Sequence, residues 1–373
     1  MNPPVYDVIV VGLGAAGSAA LYHLARRNVR ALGLDRYFPP HIHGSTHNES
    51  RIIRKAYFEG AEYGPLLDRA YELWAELEQT TGQQLTAFCG CLNIGPRDSD
   101  LVMKAESTAA RHGLDLERLS PAELHARYPG YRIPEDCVAV LETAAGCIRP
   151  EPCVATQLRL ARDLGAECRL GEPVRSWTGD TGGVVAVTDA GTYVAHSVIL
   201  TAGAWIGELA SVPVQVERVT NTWFAPANPL YGPDLCPAFI YEDAEGVHSY
   251  GCPDLGRGVK VGLHHVGPLF DHPDEVCRKP MAEDETGARQ VIRQLMPQAD
   301  DTRLHSRVCL YTNTPDKHFL IDYLSGVNRQ VVVGSACSGH GFKMSSSVGE
   351  ALAALALHET PRVDVSPFCW RWP

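Results

Sequence analysis

No apolar run in this 373-residue sequence approaches the ~18 residues of a membrane span, and no block is rich in Lys and Arg. The first absence argues against a spanning helix. The second argues against a nucleic-acid footprint, as does the net charge of -11. There is no internal repeat, no low-complexity linker and no basic segment ahead of the first hydrophobic stretch. A soluble, cytoplasmic protein that handles a small molecule is expected. Cysteine is not scarce, with 12 residues, but C-x-x-C spacing is absent. Free thiols in a reducing compartment are therefore expected rather than a disulfide framework. The composition, 45% hydrophobic and 21% charged, is that of a folded globular chain, and the length suggests about two domains.

What is present concentrates first in Tyr6 to Asp35. Asp7 to Val11 is a short β-branched apolar run that stops at Gly12, as a buried strand does. Gly12, Gly14 and Gly17 then form G-x-G-x-x-G, and Ala19, Ala20, Leu21, Leu24 and Ala25 follow at helical spacing. Ala31 to Leu34 reads as a second strand, ending in Asp35. Gly12 suits a tight turn, Gly14 lets backbone approach a pyrophosphate, and Gly17 lets the helix lie close to the strand. The helix N-terminus, with Ala15 and Ala16, would face that diphosphate. Asp35, near the expected ~20-residue distance, would hold ribose hydroxyls. An ordinary βαβ turn with incidental glycines is the alternative.

Beyond Asp35, Pro39, Pro40, Gly44 and Ser45 mark a turn-rich loop that leads to Arg51 and Arg54. His41, His43 and His47 share that loop but lack a matching thiolate or carboxylate pattern, so no metal is expected. An amphipathic helix starts at Pro65, with Trp74 in its core stripe. Short strands are expected over 86–94 and 138–142, and Ser120 with Glu123 forms a capping box. Cys89 and Cys91 are expected on one face of a strand, as core thiols. A helix to Leu164, a strand over 168–177 and a hairpin turning at 189–191 come next. Ser197 to Trp205 reads as a buried strand whose small residues Ala202 and Gly203 let backbone pass beside a nucleotide. A β-rich stretch with a helix near 284–295, then Val331 to Gly334, the SGHGFK turn and a helix from Ser345 to Leu357, complete the chain.

The segments PPHIHGSTHNESRIIRKAYFEG, VCLYTNTPDKHFLID and SACSGHGFKMSSSVGE resemble those of the monomeric sarcosine oxidase and N-methyltryptophan oxidase family, within the D-amino-acid-oxidase-like flavoenzymes. The resemblance implies an α+β fold: an α/β FAD-binding domain of Rossmann-like type over residues 1–85, 151–215 and 307–373, and a substrate domain with a mixed, mainly antiparallel sheet over 86–150 and 216–306. It implies FAD bound covalently, 8α-S-cysteinyl, through Cys309, a monomeric state, and oxidation of an N-methyl or cyclic secondary amino acid. Hydride passes from the carbon beside the amine nitrogen to the flavin, and O2 becomes H2O2. It further implies Arg54 and Lys343 on the substrate carboxylate, Arg51 beside the flavin ring, Lys260 as the oxygen activator, and His264 and Tyr311 in the active site. Arg36, Gly44, Ser45, Val174, Gly339, Gly341 and Phe342 complete the cofactor-contacting set.

On the residues alone, several of these sites have a plainer reading. Cys309 is a buried inert thiol, Lys260 in the alternating G-V-K-V-G could point to solvent, and Arg54 could be a surface or phosphate arginine. The family's H-H-G-D-T-R is replaced here by residues 46–51, THNESR, and Ile240 stands where sarcosine oxidase has methionine. These departures leave the substrate open. A flavoenzyme that passes electrons to a carrier, and a non-catalytic nucleotide-binding protein, are the rival functions; peroxide production and bleaching by N-methyl amino acids separate them.

Overall fold

The computed structural model describes residues 5–180, 182–326 and 329–372. Its first sheet has eight strands and its centre is the opening stretch. Val5–Val11 runs parallel to Ala31–Asp35 on one side and to Thr192–Leu200 on the other, and Glu167–Leu170 extends the sheet beyond Ala31–Asp35. The free edge of Thr192–Leu200 is shared: Gly183–Thr188 pairs along its first half and Val331–Ser335 along its second. Three helices cover one face. Ala15–Ala25 packs against Pro150–Asp163 and against Ser345–Ala356, and it is apolar nearly all round because both contacts bury it. Gly349 makes the second crossing close, since a Cβ there would lie 2.4 Å from that of Ala19.

The second sheet has nine strands, joined antiparallel except where Ala238–Glu242 runs parallel to Cys91–Pro96. Its longest pair is Gln215–Phe224 with Arg303–Asn313. A small third sheet, Arg51–Ile53, Gly146–Ile148 and Thr86–Ala87, lies between the two. The fold class is therefore α+β, as expected.

Four local expectations need correction. Cys89 and Cys91 do not share a strand: Gly90 at φ +82° breaks the run, and only Cys91 enters Cys91–Pro96. The strand expected over 168–177 is two strands, because Gly171 at φ +71° and Pro173, without an N–H, end the ladder between them. The second hairpin strand and the run from Ser197 are one strand, Thr192–Leu200; it stops at Leu200, and Gly203–Trp205 is a 3-10 turn. The boundary expected at residue 307 falls inside Arg303–Asn313, which belongs wholly to the second sheet. The Pro65 helix (Gly64–Thr81), the capping box at Ser120 and Glu123, and the last helix stand as expected.

Candidate active site

A cavity of about 410 Å³ runs from the first helix to the inner face of the second sheet. At one end lies the Gly12 turn. Gly12 has φ +89°, and a Cβ on it would sit 2.5 Å from the Thr201 carbonyl oxygen. Thr201 clasps this turn, with its N–H on the Val11 carbonyl at 2.8 Å and its hydroxyl on the Gly12 carbonyl at 2.8 Å. A Cβ on Gly17 would lie 1.8 Å from the Gly12 oxygen, so Gly17 sets the helix against the strand and does not line the cavity. Gly14 differs: its Cβ would meet only the Thr46 hydroxyl, at 3.6 Å, with cavity beyond. Ala15 and Ala16 also line it, and no side chain caps this helix N-terminus and no acid occupies its first turn. Free N–H groups with no competing carboxylate fit a diphosphate.

Asp35 closes the adjoining wall. Its carboxylate accepts the Leu13 and Tyr37 N–H groups, each at 2.7 Å, which fixes both oxygens toward the cavity edge. Burial raises its pKa, and those two N–H groups partly offset the rise. Arg36 lies over Trp205, 5.0 Å from the ring centroid, and Val174, Ala202, Gly203, Gly44 and Ser45 line the same stretch.

The other end is built by strand alternation. Side chains on paired positions of adjacent strands share a face. The register therefore puts Asn221, Cys309, Tyr311, Tyr250, His264, Ile240 and Lys260 on one face of the nine-stranded sheet. Cys309 is buried, its Sγ 3.6 Å from an Arg51 amine and from the Ser45 carbonyl. Arg51 also donates to the Ser50 and Ser45 carbonyls, each at 2.8 Å. Tyr250 donates to Asn221 at 2.9 Å, while the His264 Nδ1 lies 3.2 Å from the Tyr311 hydroxyl. Burial, aided by His265, lowers the His264 pKa well below its usual value, and burial raises that of Tyr311. Apart from Arg51 beside Cys309, this wall offers hydrogen bonds without charge.

Charge comes from the opposite side. Arg54 is 2% exposed and Lys343 6% exposed. Arg54 pairs with both Glu59 oxygens, at 2.8 and 3.0 Å, with its guanidinium 4.6 Å from the Tyr57 ring centroid. Burial alone would raise Glu59, but Arg54, His340 and Lys343 together outweigh it and hold the carboxyl below its usual range. Lys343 donates one of its protons to the His340 carbonyl at 2.8 Å, and burial lowers its pKa to about 7. The Gly339, Gly341 and Phe342 turn that carries it lines the cavity, with Gly339 at φ +80°. His340 pins this turn: its Nε2 lies 3.2 Å from the Lys317 carbonyl, and its Nδ1 lies 2.6 Å from the Tyr57 hydroxyl.

Lys260 is not part of the cavity wall. It is also not exposed, so the outward reading fails: its ammonium is buried behind the Ser50–Arg51 backbone, donating to the Ser50 carbonyl at 2.6 Å and the Asn48 carbonyl at 3.0 Å. Burial, then Arg51, lower its pKa to about 8. Among the described residues no group of three His, Cys, Asp or Glu side chains converges to hold a metal. Sequence reasoning missed Glu59, Tyr57, Asn221 and Tyr250. Only an unpaired arginine in an apolar setting could have signalled Glu59, and nothing in the sequence marks the other three.

The family described as FAD dependent oxidoreductase matches residues 7–355. This chain belongs to that family. Monomeric sarcosine oxidase of Streptomyces avermitilis is 38% identical to this oxidoreductase, over 98% of the chain and 97% of the relative. N-methyl-L-tryptophan oxidase of Salmonella agona is 36% identical, over 97% and 98%. Among solved structures, NikD, an unusual amino acid oxidase essential for nikkomycin biosynthesis, superposes with a TM-score of 0.88 at 24% identity, over 98% of this chain and 97% of that one. Glycine oxidase from Geobacillus kaustophilus does so with a TM-score of 0.82 at 19% identity, covering 99% of each chain. These two show the shared fold, and the Gly12 cradle, the free helix N-terminus and Asp35 fit the FAD that the family uses.

Proposed function

We propose that this oxidoreductase oxidises an N-methyl or cyclic secondary amino acid, with FAD held covalently through Cys309 and O2 reduced to H2O2. The observation that carries it is the convergence of two buried cations, Arg54 and Lys343, with an uncharged polar wall in the cavity that begins at the Gly12 turn. A buried cation pair attracts a carboxylate, and arginine's planar fork meets it bidentately. The substrate's carboxylate therefore points to Arg54 and Lys343, and its amine to Tyr311, Tyr250 and His264. When bound, FAD supplies the acceptor for the two electrons leaving the carbon beside that amine. Glu59 holds the Arg54 fork until substrate arrives, and Lys343 keeps two donors free. Ile240 and Phe58 give the side-chain pocket an apolar surface.

Lys260 serves as the fixed cation for reduction of O2, acting from behind the Ser50 backbone. Cys309 serves as the flavin anchor because its thiol lies on the cavity wall within 3.6 Å of Arg51. In this reading the first sheet with its helices is the FAD domain and the nine-stranded sheet is the substrate cap. All twelve cysteines are free in the structure, which supports a reducing, cytoplasmic setting, and the site is complete within one chain, which supports a monomer.

A peroxide-coupled screen over sarcosine, N-methyltryptophan, pipecolate and proline tests the function. Turnover with stoichiometric peroxide is expected. Flavin bleaching by substrate without peroxide would assign the electrons to a carrier instead. Acid precipitation should leave a yellow pellet; colour wholly in the supernatant of flavin-loaded protein would remove the covalent link.

A further inference from the structure

One buried ring lies against both cations of the site. Tyr57 does not line the cavity, and its side chain is buried. The Arg54 guanidinium is 4.6 Å from the centroid of its ring and the Lys343 ammonium 4.9 Å. These cations come from distant parts of the chain: Arg54 follows the Arg51–Ile53 strand, and Lys343 belongs to the 3-10 turn Phe342–Met344. The loop that carries Tyr57 is fixed by contacts that involve neither cation. The Lys55 and Ala56 N–H groups each donate to the Glu142 carboxylate at 2.8 Å, and the Thr108 hydroxyl donates to the Tyr57 carbonyl at 2.8 Å. The ring itself packs against Tyr63 and His340, at 5.2 and 5.8 Å between centroids.

The hydroxyl makes a separate contact. A carbonyl can only accept, so the His340 nitrogen that faces the Lys317 carbonyl, Nε2, carries the ring proton. Burial lowers the His340 pKa to about 4, so the ring is neutral and Nδ1 is an acceptor. The Tyr57 hydroxyl therefore donates to Nδ1, at 2.6 Å. The carbonyl of the same His340 accepts a proton of the Lys343 ammonium. By its face Tyr57 contacts both cations, and by its hydroxyl it ties down the turn that carries one of them.

Two like charges gathered away from water repel each other and need compensation. Glu59 supplies it to Arg54 as a full negative charge, which competes with any incoming anion. An aromatic face attracts a cation through its quadrupole and leaves that cation free to bind an anion.

We propose that Tyr57 is the positioning residue of the carboxylate site: its ring holds Arg54 and Lys343 together, and its hydroxyl, through His340, fixes the turn that presents Lys343. The inference rests on the reading that these two cations receive the substrate's carboxylate. Tyr57 touches no substrate and acts only through the residues it holds.

The test reads carboxylate binding without turnover. Acetate is titrated into flavin-loaded enzyme over a pH series, followed by flavin absorbance and by the rise in Tm. Around Lys343, Glu59 favours the ammonium and Arg54 opposes it, with Cys91, Arg51, His340 and His264 the further titratable and charged groups. Wild-type affinity should fall as pH rises through about 7. Tyr57→Phe keeps the face and loses the hydroxyl, so acetate should bind about threefold to tenfold more weakly. Tyr57→Leu loses both, and the loss should reach about a hundredfold with the pH midpoint about one unit lower. In both variants kcat/KM for amines without a carboxylate should stay within about threefold of wild type, a split that a purely structural role does not produce. Fluorinated phenylalanines at position 57 keep the shape of Phe and weaken the negative face, so the midpoint should step down as fluorines are added; this series decides the ring's part even where Tyr57→Leu does not fold. Tyr63→Phe, in the same aromatic cluster but with its hydroxyl on His318, should bind acetate as wild type does. A midpoint that stays constant along the fluorinated series would overturn the proposal, as would equal losses for acids and amines in Tyr57→Phe. Acetate bound with these dependences while no amino acid is oxidised would leave Tyr57 in its role and remove the oxidase reading. Wild-type enzyme that binds no carboxylate would overturn both.

Discussion

Arg54 has a carboxylate partner before any substrate arrives, and that fixes what its loss should do. Removing one member of a buried pair costs ~3 to 5 kcal/mol, or about two to four decades in kcat/KM. Arg54→Met should therefore cripple amino acids far more than the matching amines that lack a carboxylate. Equal losses would assign Arg54 to the flavin or to Glu59 and the fold. Lys343 sets the pH dependence. Burial lowers its pKa to about 7, with Glu59 opposing, so the free enzyme carries the ammonium below that value and loses it above. For carboxylate substrates kcat/KM, which reports the free enzyme, should fall as pH rises through about 7, and the alkaline limb should vanish in Lys343→Met. The role proposed for Lys260 belongs to a different step. A cation ~4 Å from developing superoxide, at an effective dielectric of ~20, contributes about 4 kcal/mol, which is the upper bound for an ammonium held behind the Ser50 carbonyl. Stopped-flow measurements on Lys260→Met should show anaerobic flavin reduction within about tenfold of wild type and reoxidation by O2 slowed by about two to three decades. Unchanged reoxidation would move the oxygen site to Arg51 or Lys343.

At the scale of the element, the strand, turn and helix from Val5 to Ala25 separate two uses of glycine. Gly17 carries a close approach: a Cβ there meets the Gly12 oxygen at 1.8 Å and the Thr201 hydroxyl at 2.6 Å. Gly17→Ala should destabilise the protein even without FAD, by about 1 to 3 kcal/mol, as overpacking does. Gly14 faces open cavity, so Gly14→Ala should leave the flavin-free protein within ~0.5 kcal/mol of wild type yet lose flavin content. Thermal melts with and without FAD, and absorbance of the purified variants, check both. Equal destabilisation by the two substitutions would mean that Gly14 supports packing rather than the ligand.

Across the whole molecule, Cys309 on one sheet and the Gly12 turn on the other line one cavity, so the proposed flavin would tie the two sheets together. A ligand bound only by the native state stabilises it by an amount that grows with its concentration, about 2.7 kcal/mol at 100 times Kd. A covalent flavin cannot leave, so the Tm of the wild type should be independent of added FAD. Cys309→Ser should bind FAD reversibly, with a Tm that rises as FAD is added. A wild-type Tm that tracks added FAD in the same way would mean that the link does not form.

Much of this was legible in the residues. The glycine spacing of 12, 14 and 17 specifies its own turn because the cause is local sterics, and the apolar runs and caps specify most elements for the same reason. The second sheet's inner face was legible only in part. Alternation says which residues of a strand travel together, but the pairing that sets His264 beside Tyr311, or Cys252 across from Lys260, joins residues far apart in the chain. Tertiary structure alone decided three things. It turned Lys260 inward, where the Ser50 and Asn48 carbonyls replace water around a charge that cannot be buried unpaired. It gave Arg54 the Glu59 carboxylate, for the same reason. And it gathered Cys89, Cys147 and Cys252 into one cluster from a sequence in which they are merely scattered, because their meeting depends on how two sheets and the Cys89 turn pack and not on their spacing along the chain.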